Sequence, residues 1–183
     1  MTCIVGVVSD SGQVVLAGDS SSVEADSIRV VRAPKVFQLG LEFVFGFAGS
    51  FRIGQILQYG FIPPLQKAGQ DDMEYLVTDF CDALRLTLED RGAIIGRNGT
   101  DEMEADLLIG YRGRLYQVDG DFQFTEHKHN YAAIGSGSEV AVGALAASAR
   151  VRSATKRAKM ALEASALHCV GVCPPFHLVV LKV

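Results

Sequence analysis

Hydrophobic and polar positions divide the chain into segments of two periods. Residues 3–9 (CIVGVVS) and 13–19 (QVVLAGD) are almost continuously apolar and rich in β-branched side chains. Asp10-Ser11-Gly12 between them is a turn signal, so the pair reads as a hairpin whose strands are covered on both faces. Residues 20–34 are polar and end at Pro34. Residues 35–39 and 42–48 then predict a second strand pair, turning at Gly40-Leu41. Ser50 is placed to cap a helix that starts at Phe51 and stops or kinks in the 59–64 region, at Pro63-Pro64. Asp71 or Asp72 can cap the next helix. Its Met73, Leu76, Val77, Phe80, Leu84 and Leu88 recur at helical spacing, and it should end near Arg91-Gly92.

The second half repeats the order. Residues 97–101 are loop-like; 105–110 and 114–118 predict a hairpin; 122–125 and 131–134 predict short strands. Gly135-Ser136-Gly137-Ser138 breaks the pattern, and Ser138 can cap a helix with Val140, Ala141, Ala144, Leu145 and Ser148 on one side. Ser153 caps another helix reaching about Leu167, and residues 175–181 form a last strand. Strands and helices come in separate runs, which argues α+β rather than alternating α/β. Two sheets, each covered by a helix pair, satisfy strands that are apolar on both faces. The expectation is a four-layer αββα sandwich, with residues 1–183 as one domain.

Composition narrows the function. Hydrophobic residues make up 49% and charged residues 21% of 183, which excludes disorder as the main state. A net charge of −4 argues against a general nucleic-acid binder. The apolar runs are far shorter than the ~20 residues of a spanning helix, and no charged leader precedes an apolar stretch at the start. Cys3, Cys81, Cys169 and Cys173 lack zinc-type spacing and read as reduced, mostly packed thiols. A cytoplasmic protein without membrane or nucleic-acid partners is expected.

The candidate chemistry starts at Met1-Thr2. With Met1 removed, Thr2 carries a hydroxyl and a free α-amine, whose reference pKa is about 7.7–8.0, so nucleophile and base share one residue. Thr2-Cys3-Ile4-Val5-Gly6 runs straight into a buried-looking strand, which anchors that end. Further along stand Ala17-Gly18-Asp19-Ser20, Pro34-Lys35-Val36-Phe37, Phe45-Gly46-Phe47-Ala48-Gly49-Ser50 and Ile134-Gly135-Ser136-Gly137-Ser138. Taken in order, these segments resemble the proteasome β-subunit family of N-terminal threonine (Ntn) hydrolases, and most of all the bacterial HslV-type and proteasome-like peptidases.

The resemblance implies a threonine peptidase that forms an acyl-enzyme. It makes Thr2 the nucleophile, Asp19 the acid that ends the second strand and Lys35 the lysine beside the nucleophile. Gly46 becomes the glycine whose N–H receives the oxyanion, and Ser136 the serine beside the threonine amine. It implies stacked homo-oligomeric rings enclosing the sites, an ATP-driven unfoldase partner, and peptides or unfolded protein as substrate. It also implies a monovalent cation such as sodium, held by carbonyls of Ala166, Cys169 and Val172, with no other cofactor required. His168-Cys169 stands where many β-subunits carry an aspartate; a cysteine there fits the HslV type.

Plainer readings stand beside these. Asp19 and Lys35 can form an ordinary ion pair, and residues 135–138 can be a simple turn and cap, or a phosphate loop lacking the Walker lysine. His127 and His129 alternate like a metal pair without a third ligand. Cys169 and Cys173 can be redox partners rather than packing thiols. Arg150, Arg152, Lys156, Arg157 and Lys159 form a basic stretch suited to solvent or to acids such as Asp101, Glu102 and Glu104 on a neighbouring subunit. Cys3 becomes a nucleophile only if two residues are removed. Two other functions fit the same residues: an amidase for a small amide, and an inert proteasome-like subunit that keeps Met1.

Overall fold

The computed structural model describes residues 1–97 and 99–182. In chain order the strands are β1 (Ile4–Val8), β2 (Val14–Gly18), β3 (Ser21–Glu24), β4 (Ser27–Val30), β5 (Val36–Leu39), β6 (Phe43–Gly49), β7 (Ile95–Arg97), β8 (Thr100–Glu102), β9 (Ala105–Tyr111), β10 (Arg114–Val118), β11 (Phe124–Glu126), β12 (Tyr131–Ile134) and β13 (His177–Leu181). The helices are α1 (Phe51–Gly60), α2 (Asp72–Tyr75), α3 (Cys81–Asp90), α4 (Ser138–Ala147) and α5 (Ala154–His168), with a π turn at Leu76–Phe80 joining α2 to α3.

Two antiparallel sheets make the centre. One has the order β12-β1-β2-β13, in register at Ile4↔Ile134, Ile4↔Gly18 and His177↔Gly18. The other has the order β11-β10-β9-β6-β5. Alternate residues of β1 explain its unbroken hydrophobicity. Ile4 and Val8 point between the sheets, among Leu16, Val36, Val44 and Leu108. Cys3, Val5 and Val7 point the other way, into a core with Ala141, Leu145, Ala158, Ala161 and Leu162 of α4 and α5. The second sheet buries Phe43, Phe45, Phe47 and Tyr111 under Ile53, Leu57, Leu76, Phe80, Leu84 and Leu88. The result is the expected αββα sandwich.

Local expectations met mixed outcomes, each with a physical cause. Asp71 caps α2, accepting from Met73 N and Glu74 N, and Ser153 caps α5, accepting from Lys156 N. Ser50 and Ser138 do not cap with their side chains: Ser138 is the first residue of α4, behind Gly137. The stripe from Met73 to Leu88 holds except at Val77, which is 46% exposed. The π turn underwinds the rod there. That keeps the i+4 row Leu76, Phe80, Leu84 and Leu88 on the sheet and swings Val77 outward. The polar stretch 20–34 contains the hairpin β3–β4, whose alternation is only a few residues long and whose Ile28 and Val30 are exposed rather than packed in a core. Residues expected to be loop at 97–101 belong partly to the small hairpin β7–β8; Asn98 lies outside the described residues. The last strand starts at His177, two residues later than expected, because Pro175 has no N–H to give a ladder.

Candidate active site

The site sits where the two sheets open at one end. β1 begins just after Thr2, β2 ends just before Asp19, and β5 begins just after Lys35. Chain ends usually fray, but here the Thr2 carbonyl accepts from Gly137 N at 3.2 Å. Thr2 is 6% exposed, and Asp19 and Lys35 are fully buried.

A line of hydrogen bonds joins three of the expected residues. Lys35 Nζ donates to Thr2 Oγ1 at 2.9 Å and to Asp19 Oδ1 at 2.8 Å. Asp19 Oδ1 also accepts the Cys3 N–H at 3.0 Å, and Oδ2 accepts the Ser21 N–H at 2.9 Å. A carboxylate held by so many donors is a fixed counter-charge. Burial draws the Lys35 pKa below its ordinary value, while Asp19 opposes that fall. The Lys35 ammonium also lies 5.8 Å from the Phe51 ring centroid. Ser136 is the fourth expected residue in place: its Oγ accepts the Thr2 N–H at 3.1 Å. With Met1 attached, that nitrogen is an amide and cannot take a proton. The Thr2 hydroxyl donates to the Met1 carbonyl at 2.7 Å.

Gly46 departs from its expected role. Phe47 N–H donates to the Lys35 carbonyl at 3.1 Å, so β6 turns its odd-numbered N–H groups toward β5. Neighbouring N–H groups in a strand point opposite ways, so Gly46 N–H faces β9, where its register partner is Leu108. The N–H groups of β6 on the Lys35 side are those of Phe47 and Gly49. What requires glycine at 46 is packing: a Cβ there would lie 2.4 Å from Ile4 Cγ2 and 3.3 Å from Val36 Cγ1. Ile4 is β-branched and stiff, so it cannot yield cheaply. Gly46→Ala should therefore lower stability by about 1–3 kcal/mol, the cost of overpacking. That is roughly 2–10 °C in Tm for a chain of this size. An unchanged thermal transition would overturn the packing requirement at Gly46.

Several neighbours were not anticipated. The Ser21 hydroxyl lies within hydrogen-bond reach of Asp19 Oδ2 and of the Gly171 carbonyl, and its single proton serves one at a time. The Asp19 side chain bonds the backbone N–H two residues on, as Asp does in turns, and that places Ser21 beside it. Cys3 Sγ reaches Ser165 Oγ at 3.6 Å, and burial raises its pKa to about 12, which makes it a packing thiol rather than a nucleophile. All four cysteines are free.

The remaining expectations fall outside this centre. His127 Nε2 pairs with Gln117 Oε1 at 3.2 Å and His129 stacks on Tyr131. Among the described residues no group of three or more His, Cys, Asp or Glu could hold a metal. Arg157 packs over the Tyr131 ring and donates to the Leu145 carbonyl, and Lys159 pairs with Glu163. Asp101 pairs with Arg85 of the same chain. Ala166, Cys169 and Val172 follow one another around the end of α5, where the Cys169 carbonyl already accepts Val172 N–H at 3.3 Å. No helix among the described residues is long and apolar enough to cross a membrane.

Solved structures share this fold. Thiobacillus denitrificans BPH superposes with a TM-score of 0.79 at 21% identity, over 98% of this chain and 97% of that one. The same protein in complex with epoxomicin gives 0.78 at 20% identity, over 98% of this chain and 100% of that one. Eukaryotic HslV from Trypanosoma brucei gives 0.71 at 21% identity, over 99% of both chains. No protein-family model matches the chain, and no curated protein matches it in sequence. The fold is thus of the proteasome-β and HslV type.

Proposed function

We infer that this chain is a threonine peptidase whose nucleophile is Thr2 once Met1 is removed. The observation that carries this reading is the buried line Thr2 Oγ1–Lys35 Nζ–Asp19 Oδ1, at 2.9 and 2.8 Å. An ordinary surface ion pair would neither be fully buried nor end on a hydroxyl.

The freed Thr2 amine takes the hydroxyl proton, directly or through a water, as Oγ1 attacks the substrate carbonyl carbon. The Lys35 ammonium beside Oγ1 stabilises the developing alkoxide and disfavours a second charge on the amine. Asp19 holds Lys35, and Ser136 orients the amine. The oxyanion falls to the β6 N–H on the Lys35 side that lies beyond the start of β5, that of Gly49, since Phe47 N–H is held by the Lys35 carbonyl. When the C–N bond breaks, the amine proton passes to the leaving nitrogen and an ester remains on Thr2. Water then gives a proton to the amine, attacks the ester, and restores the hydroxyl. A monovalent cation at the carbonyls of Ala166, Cys169 and Val172 belongs to the same proposal, with no step of the reaction assigned to it.

Stacked rings of this chain, an unfoldase ring and unfolded-protein substrates belong to the same proposal. Support comes from the fold shared with HslV and BPH. Cytoplasmic residence is part of it.

The test is intact mass before and after epoxomicin, the compound in the BPH complex. The expected result is a chain lacking Met1 that gains one adduct at Thr2. The second reading is an inert subunit that keeps Met1, in which the Thr2 hydroxyl stays bonded to the Met1 carbonyl. A retained Met1 with no adduct would establish that reading instead.

A further inference from the structure

The Met1 side chain has a seat of its own. A Cβ built on Gly171 would lie 2.9 Å from Met1 Cβ, 2.9 Å from Val23 Cγ2 and 3.2 Å from Met1 Cε. Met1 therefore lies along the Gly171 backbone with Val23 of β3 as a second wall, and remains 51% exposed on its outer side. The wall is firm. Gly171 has φ +83, which disfavours any side chain, and its carbonyl is within reach of the Ser21 hydroxyl that also meets Asp19.

This seat is tied to the reaction by position. The substrate's leaving nitrogen must receive its proton from Thr2 N, so it departs within hydrogen-bond reach of that atom. Met1 is bonded to Thr2 N. The residue that follows the scissile bond thus leaves over the volume where Met1 now sits.

We propose that Gly171 and Val23 form the leaving-side subsite, which selects peptides with methionine or leucine after the cut. The inference rests on Thr2 being the nucleophile. The seat prefers an unbranched Cβ, because no further carbon fits between the Gly171 backbone and Met1 Cβ: a Cβ on residue 171 would lie only 2.9 Å from it. A second substituent there, as in valine or isoleucine, meets the same crowding. An acidic side chain would lose its water against Val23 without gaining a partner.

The experiment uses the full chain with loss of Met1 verified by intact mass. Internally quenched peptides share every residue before the cut and carry Met, Leu, Val, Gly or Asp after it. Expected is a kcat/KM for Met and Leu about tenfold above that for Gly, Val and Asp, the scale of a modest apolar pocket. Val23→Asp should pull the Met-to-Gly ratio down by a similar factor. A ratio within one variant cancels any general loss from altered folding. Equal rates across the series, or a ratio unmoved by Val23→Asp, would overturn the subsite. Epoxomicin labelling of the unmodified chain runs alongside. An adduct with a flat series rejects the subsite and leaves the nucleophile standing; no adduct and no cleavage rejects both.

Discussion

Thr2→Ala abolishes peptide cleavage, with kcat/KM falling by at least about 10⁴-fold, the scale at which removal of a catalytic nucleophile shows. The hydroxyl is the atom that bonds to the substrate, and the adjacent Cys3 thiol does not replace it. Cys3 is buried, with its pKa pushed to about 12, and its sulfur meets Ser165. The methyl of alanine fits where Thr2 stands, and Lys35 keeps its bond to Asp19. The cost to stability is then near one hydrogen bond, about 1–2 kcal/mol. The checks are steady-state kinetics on a quenched peptide, thermal unfolding and oligomer size. Ordinary turnover by a verified Thr2→Ala chain would remove Thr2 from the mechanism.

Lys35→Met has the second largest effect, and it acts on stability and catalysis together. Methionine nearly matches the lysine stem in volume but leaves Asp19 buried with only N–H and hydroxyl donors. Breaking a buried ion pair from one side costs about 3–5 kcal/mol. Turnover should also fall by roughly 10²–10⁴-fold, since the alkoxide loses its counter-charge and the amine its tuning. The double variant Lys35→Met with Asp19→Asn separates the two roles. It should regain most of the stability, because no unpaired charge remains, and none of the activity. Recovery of activity in the double variant would reduce Lys35 to a structural partner.

The pH dependence has a definite sign. The pKa of Lys35 is lower in the folded chain than its ordinary 10.5. The unfolded chain then binds this proton more tightly than the folded one. The resulting penalty is fully present below the folded pKa and disappears as pH rises through the interval up to 10.5. Wild-type stability relative to Lys35→Met should therefore increase as pH rises into that interval. Chemical denaturation at a series of pH values measures it.

Much of the fold was legible because its signals are local. β1 and β2 read as doubly covered strands from their unbroken apolar residues, and each does carry one core on either side. Asp71 and Ser153 read as caps and cap with their side chains. Hairpins β3–β4 and β7–β8 were illegible because they are short and mostly solvent-exposed, so their few apolar residues make no long periodic run. Val77 was misplaced because a π turn changes helical phase without any residue type announcing it.

The candidate site divides the same way. The resemblance to the proteasome β-subunit family marked Thr2, Asp19, Lys35 and Ser136, each in a short segment at a strand end or a turn. The chain by itself thus determined the layer order and which side chains could meet. Tertiary structure decided what those positions do. Whether Gly46 offers its N–H to a substrate or to β9 depends on strand parity, set by the pairing of Phe47 with Lys35. Whether Gly171 touches Met1 depends on a loop 170 positions away folding back past Asp19. Periodicity along a chain reports which face of an element is buried. It carries no information on which neighbour a backbone N–H faces, and that direction exists only once the sheet is assembled.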